Sequence, residues 1–236
     1  MAQQLQLPDG QTIAYLLDLR VRKTIGLKIT AQGLVVHAPK RISSKQLQQV
    51  LLQKAGWIQQ KLALRAANQV APMQWVDGEP LLFMGQDITL SLIRHPTSKA
   101  VALEGSQLVV RSPHIGNQAW VARKVLHWYT QQALPDFSRR VQLVAAQMGE
   151  KVTSVALSNA RSRWGSCNSR KQIRLNWRLI QAPPHIIQYV VCHEMAHLRE
   201  MNHSGRFYAV LESLFAKHLS AEKEMKALSS ILHRMA

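Results

Sequence analysis

The sequence predicts an α+β fold, rich in β-strands at its start and in helices towards its end. Three observations predict it. Strand-like hairpins recur in the first half, each followed by a helix-forming run. Two further strand-like segments flank a polar, basic stretch around residues 152–177. From residue 183 onward, apolar residues recur at helical spacing.

Residues 27–30 and 33–39, joined by a short turn, form a hairpin that ends at Pro39. Residues 101–104 and 107–113 echo it and end at Pro113. After the first copy, Ser43 or Ser44 is placed to cap a helix running to about Ala67. After the second, Asn117 caps one running to about Met148. The chain therefore reads as two ββα units, with another hairpin (81–84 and 88–91) around Gly85 and Gln86. Strands follow at 152–157 and 173–177. Pro183 and Pro184 then open a helix to about Met201, and two more helices cover roughly 205–219 and 221–233. The expected domains are 1–114 and 115–236, with 67–72 as a loop inside the first.

Two cysteines in 236 residues, Cys167 and Cys192, point to a reducing compartment in which thiols serve as small apolar residues. The opening residues lack a basic segment leading into an apolar one, and nowhere do enough apolar residues run together to span a bilayer. A cytoplasmic location with no membrane partner is expected. The net charge of +17 attracts polyanions, so nucleic acid or a phosphorylated substrate is an expected partner beside a merely solvated basic face. At 6% of the chain, aromatic residues are too few for an extended base-stacking platform.

The segment His193-Glu194-Met195-Ala196-His197 carries the chemistry. Residues four apart on a helix lie within about 40° of one face, so both imidazoles reach one ion. Glu194 stands about 100° round from His193, beside the metal and placed to take a proton from water. Val190, Val191 and Leu198 supply the apolar surroundings of a buried site helix. A catalytic zinc takes three protein ligands and keeps one position open. His203, before Ser204 and Gly205, is the favoured third ligand, because the chain can turn back there; Glu212, Glu222 and Glu224 are its rivals. Glu200 either orients a ligand or is solvated. Cys192 points away from His193, and Cys167 has no recognisable histidine partner.

The ordered segments Arg161-Ser-Arg-Trp-Gly-Ser-Cys167, Leu175-Asn-Trp-Arg-Leu179, His193-Glu-Met-Ala-His197 and Asn202-His-Ser-Gly-Arg-Phe207 resemble the YgjP-like metal-dependent hydrolases, a family of zincin-type metallopeptidases. The last segment is also similar to the third-ligand region of SprT-like proteases, which supports His203. The resemblance implies a zincin-like domain, in which a small sheet lies over the site helix and an edge strand lines the substrate cleft. The strand around Leu175, Asn176 and Trp177 is the expected edge, with Gly165 turning the chain into or out of it. Trp164 and Trp177 read equally as core residues.

Zinc with a general base defines attack of water on an electrophile without choosing it. Between residues 161 and 178 there are six basic side chains and no acidic one. From this stretch Arg161, Arg163, Arg174, Asn176 and Arg178 are expected to face substrate. A metallopeptidase acting on polypeptide is the first reading. The second is a nucleotide pyrophosphatase that uses the arginines on a triphosphate, and the third a nucleic-acid-binding module with a vestigial metal site. Glu194 argues against the third, since a structural site has no use for that carboxylate.

Overall fold

The computed structural model describes residues 2–7, 10–30, 32–67 and 71–235. The fold is α+β and divides into two compact units, Met1–Gln69 and Val70–Ala236. Among the described residues no helix is long and apolar enough to cross a membrane.

The first unit contains β1 (Ala2–Gln6), β2 (Thr12–Arg20), β3 (Gly26–Thr30), β4 (Gly33–Pro39), α1 (Ser44–Gln53) and α2 (Ala55–Ala67). Its sheet has the order β1-β2-β4-β3: β3 and β4 form the expected hairpin, and β2 lies parallel to β4. Alternate residues Ile13 and Tyr15 of β2, and Leu34, Val36 and Ala38 of β4, turn inward against Leu47, Leu51 and Ile58. Ser43 caps α1 in a reciprocal capping box with Gln46. The single helix expected to Ala67 is interrupted at Lys54, whose N–H is shared among the carbonyls of Val50, Leu51 and Leu52, two residues ahead of Gly56.

The second unit opens on the same plan. Its strands β5 (Pro80–Phe83), β6 (Gln86–Arg94), β7 (Ala100–Glu104) and β8 (Gln107–Ser112) have the order β5-β6-β8-β7, with β6 parallel to β8. The helix α3 (Gln118–Met148) follows, capped by the Asn117 side chain on Trp120 N–H and ended by Gly149 in the left-handed region. The repeated element is therefore four strands and a helix, larger than the ββα unit visible in the sequence.

Then come β9 (Ser154–Ser158), β10 (Gly165–Cys167), β11 (Gln172–Asn176), a 3₁₀ turn (Trp177–Gln181), α4 (Pro184–Ala196), α5 (Gly205–Leu214) and α6 (His218–Leu232). The helix expected to reach Met201 stops at Ala196, because residues 198–200 bond back to Met195 and Ala196 in tight turns.

The expected boundary at 114/115 is corrected to 69/70. Leu81, Ile88, Leu90, Leu108 and Val110 share one apolar core with Val121 and Tyr129 of α3 and with Ile187 and Val191 of α4. In addition, Met84 and Gly85 donate backbone hydrogen bonds to Ile180 and Gln181. Gly85 is required there, since its φ is +76° and a Cβ would lie 2.7 Å from Pro183 Cα. The new boundary falls within the stretch 67–72 that was expected to be an internal loop, of which residues 68–70 lie outside the described ones.

Because each unit has its own core, damage to the first should stay there. Leu34→Ala removes a side chain that is 1% exposed and should cost the first unit about 2–5 kcal/mol. Divalent-metal binding by the second unit should be unchanged. Denaturant unfolding followed beside metal titration checks this, and a parallel loss of metal affinity would contradict two separate cores.

Candidate metal centre

Helix α4 is apolar on nearly every side, with Ile186, Ile187, Val190, Val191, Cys192, Met195 and Ala196 all buried. It therefore carries His193 and Glu194 into the interior rather than along a wet face. The tight turns after Ala196 send the chain back, and His203 arrives just before Ser204, which caps α5 by accepting from Phe207 N–H.

As a result one ligand nitrogen each from His193, His197 and His203 lies within 4.8 Å of the others. His193 Nε2 and His203 Nε2 are 3.1 Å apart, close to the ~3.3 Å between two nitrogens at usual zinc distances on a tetrahedral ion. His197 Nδ1 is 3.1 Å from the Glu200 carbonyl and must donate to it, which leaves the Nε2 lone pair free for a metal. Burial, then the neighbouring imidazoles His197 and His203, pull the His193 pKa down to about 4, so at neutral pH its lone pair is free too. The donor set thus fits a divalent ion that favours nitrogen.

Of the rival ligands, Glu222 faces the cleft from α6 but is ion-paired with Lys226, and Glu224 pairs with His185. Glu212 is exposed on α5. Glu200 contributes its carbonyl to His197, while its carboxylate pairs with Arg206.

Glu194 is only 6% exposed, and burial lifts its carboxyl to about 8, opposed in part by the Arg163 cation. Backbone lies directly against it: a Cβ on Gly165 would sit 2.5 Å from Glu194 Cγ and collide with the carboxylate. The expected edge strand is corrected here. The sheet order is β10-β11-β9, so the strand at 172–176 is central, and of the two edge strands β10 carries Gly165. A cleft of about 440 Å³ opens beside it, lined by Arg163, Trp164, Gly165, Tyr189, His193 and Glu194 from one side and by Glu222, Met225 and Lys226 of α6 from the other.

The residues expected to face substrate are not brought together. Only Arg163 lines the cleft. Arg174 is exposed on β11 and Arg161 is exposed near Arg178. Asn176 and Arg178 are corrected to supporting positions, at 0% and 2% exposure. The Asn176 amide donates to the carbonyls of Ala160 and Arg163, and its Oδ1 accepts from Arg178 N–H. The Arg178 guanidinium stacks on Trp177, 4.4 Å from the ring centre, and donates to Met235 O and Asn159 Oδ1. Trp177 is buried, and Trp164 lies against His233 with 4.4 Å between ring centres. The Cys192 thiol is pushed up to about 11 by burial, and that of Cys167 is raised by burial and by Glu194; neither joins the imidazoles.

Two contributors were not singled out from sequence. Phe207, fully buried, sets its ring 4.6–5.0 Å from all three imidazoles and floors the site. Tyr189 lies one helical turn before His193 and lines the cleft; burial raises its hydroxyl to about 12, so it stays a donor at neutral pH. The turn spacing from His193 was the available signal for Tyr189. Phe207 had none beyond its place in the resembling segment.

A family model described as YgjP-like, metallopeptidase domain, matches residues 23–228. No curated protein matches the chain. Among solved structures, the metallopeptidase zymogen jannalysin of Methanocaldococcus jannaschii is 20% identical, with 40% of this chain and 96% of that one covered at a TM-score of 0.34. Wss1 from Saccharomyces cerevisiae is 17% identical, with 57% and 92% covered at a TM-score of 0.32.

Two predictions follow from the surroundings of Glu194. Gly165→Ala should displace the carboxylate and reduce any hydrolytic turnover at least as much as a misaligned base does, about 10²-fold, while zinc content is kept. Retained turnover would mean the carboxylate need not sit under β10.

The second is pH dependence in chelator-treated protein. The folded pKa of Glu194 is raised, so its stabilising contribution is complete below the ordinary glutamate value of 4.5 and is lost as pH climbs to about 8. His193 is depressed, so its contribution is complete above 6.5 and lost only as pH falls towards 4. Between pH 6.5 and 8 Glu194 acts alone of the two. Wild type should lose about 2 kcal/mol over that window relative to Glu194→Gln. Urea unfolding at several pH values measures this, and a constant difference would remove desolvation as the cause.

Proposed function

The chain belongs to the YgjP-like metallopeptidase family, and from that premise we propose that it is a zinc-dependent peptidase with Glu194 as general base. One observation carries the reading: three convergent imidazoles stand beside a buried carboxylate, in a cleft that Gly165 of the outer strand β10 helps to line. Three neutral nitrogen donors with one position left open suit zinc. Bound there, zinc would supply Lewis acidity, polarising a carbonyl and acidifying water.

The chain's own groups do the rest. Desolvation makes the Glu194 carboxylate a stronger base than a surface glutamate, and Arg163 keeps part of it ionised. Among the described residues β10 has a strand neighbour on one side only, and an extended peptide joining its other side would align a scissile bond over Glu194. Tyr189 offers a protonated hydroxyl to an oxyanion developing in the cleft.

A second reading, hydrolysis of a nucleoside triphosphate, is supported by Arg163 and Lys226 on the cleft walls. It is weakened by the dispersal of the other arginines. A vestigial site is disfavoured by the burial of Glu194, a carboxylate whose desolvation costs stability.

Zinc-loaded protein should be incubated separately with an unfolded polypeptide and with nucleoside triphosphates. Glu194→Gln should lower turnover on the true substrate by about 10²–10⁴-fold at unchanged zinc content. His203→Ala should lose zinc, whereas Glu212→Ala should retain it. Cleavage of triphosphate alone would transfer the assignment to the second reading, and a fully active Glu194→Gln would exclude this carboxylate as the base.

A further inference from the structure

Charge is unevenly distributed along the chain. Residues 1–69 contain ten Lys and Arg against two Asp and no Glu, a net charge of +8 out of the chain's +17. Of the two acids, Asp18 is engaged by Arg20 and His37. No other basic side chain that is described in the unit has a carboxylate partner among the described residues. Lys23, Lys28, Lys40, Arg41, Lys45, Lys54 and Lys61 are all exposed.

Part of this charge borders an open groove of about 620 Å³ between the β2–β3 loop, the β4–α1 loop and α1. Lys23 and Arg41 are among its lining residues, Ile25, Ile42 and Val50 supply apolar surface, and Gln46 contributes an amide. The helical wall extends beyond the groove. On an ideal helix Gln46, Val50, Lys54, Trp57 and Lys61 fall within about 80° of arc and span about 22 Å. The stripe crosses the one-residue interruption at Lys54, on either side of which Leu47, Leu51 and Ile58 keep to the core. Trp57 is 40% exposed, an indole left partly in water between two lysines. The core-facing residues Leu47, Leu51 and Ile58 do not compete for this stripe.

We propose that this groove and stripe bind single-stranded nucleic acid, with Lys23, Arg41, Lys54 and Lys61 on phosphates and Trp57 stacked on one base. The chemistry favours that occupant. A cationic track with no carboxylate suits a chain of phosphodiesters, and an exposed indole set among the cations suits a base freed from a duplex. A single aromatic gives one stacking position rather than a platform, so binding is led by phosphates and is indifferent to sequence. The proposal goes beyond the peptidase reading, and its test reads binding alone, so either can fail without the other.

The test is fluorescence anisotropy of a short labelled oligothymidylate with the full chain across a range of salt. Lys23→Ala, Arg41→Ala, Lys54→Ala and Lys61→Ala combined should weaken binding by tenfold or more. The slope of log affinity against log salt should fall by up to about 3, at about 0.7 per lost single-strand contact. A control that removes equal charge from exposed cations of the second unit (Lys99, Arg123, Lys217 and Lys223) should bind nearly as wild type. Trp57→Ala should lose roughly fivefold or more, and Trp57→Phe should recover most of it. The unfolding transition of each variant verifies that these surface changes leave the fold intact. Equal losses in the groove variant and the control would overturn the proposal, leaving only net charge. So would oligothymidylate binding unaffected by Trp57→Ala, or a groove variant that loses binding to phosphatidylserine vesicles while keeping the oligonucleotide.

Discussion

A carboxylate shut away from water beneath a strand's backbone is the constraint from which the rest of the catalytic region follows. Glu194 lies where the only covering residue that fits is one without a side chain, and Gly165 meets that demand. Because the cover is backbone, β10 must run close over α4, and the same strand is one of the sheet's two edges. Helix α4 must then be apolar on almost every face, for it is roofed by the sheet on one side and packed into the main core on the others. Arg163 sits near enough to offset part of the desolvation without removing it.

The imidazoles obey a complementary rule. A helix can place two ligands one turn apart without bending, but a third on the same ion has to come from chain that has reversed direction. That reversal is made by stopping α4 at Ala196 and starting α5 at Gly205. Phe207, on the first turn of the new helix, then fills the space under all three rings. Geometry for metal binding is thus tied to packing of an apolar ring, and burial keeps His193 neutral and ready to coordinate.

What could be read from the sequence was local. The hairpins at 26–39 and 100–112, the Asn117 cap and the approach of the His193 and His197 rings at the end of α4 each depend on residues a few positions apart, and each is seen in the structure. What depended on distant pairing was not legible. The parallel ladders β2/β4 and β6/β8 join strands that are not successive, and strand order alone makes β10 rather than β11 the edge. The boundary at 69/70 was hidden because two units of like topology look alike in sequence, whereas core sharing is a tertiary fact. The arginines of 161–178 are neighbours in the chain only; a 3₁₀ turn carries Arg178 inward while Arg174 stays on the surface.

The inward course of Arg178 also bears on the order in which the protein is assembled. Its guanidinium is satisfied by the carbonyl of Met235, Gln181 bonds that of Leu232, and Arg234 ties to Glu79 and Ala71. During synthesis, therefore, α4 and the loop bearing His203 leave the ribosome about thirty residues before the groups that close the core around them. The first unit, complete by residue 69, is under no such delay. Until residues 232–235 emerge, the Arg178 guanidinium has Asn159 as an acceptor but lacks Met235, so the core around α4 has reason to stay open until they do.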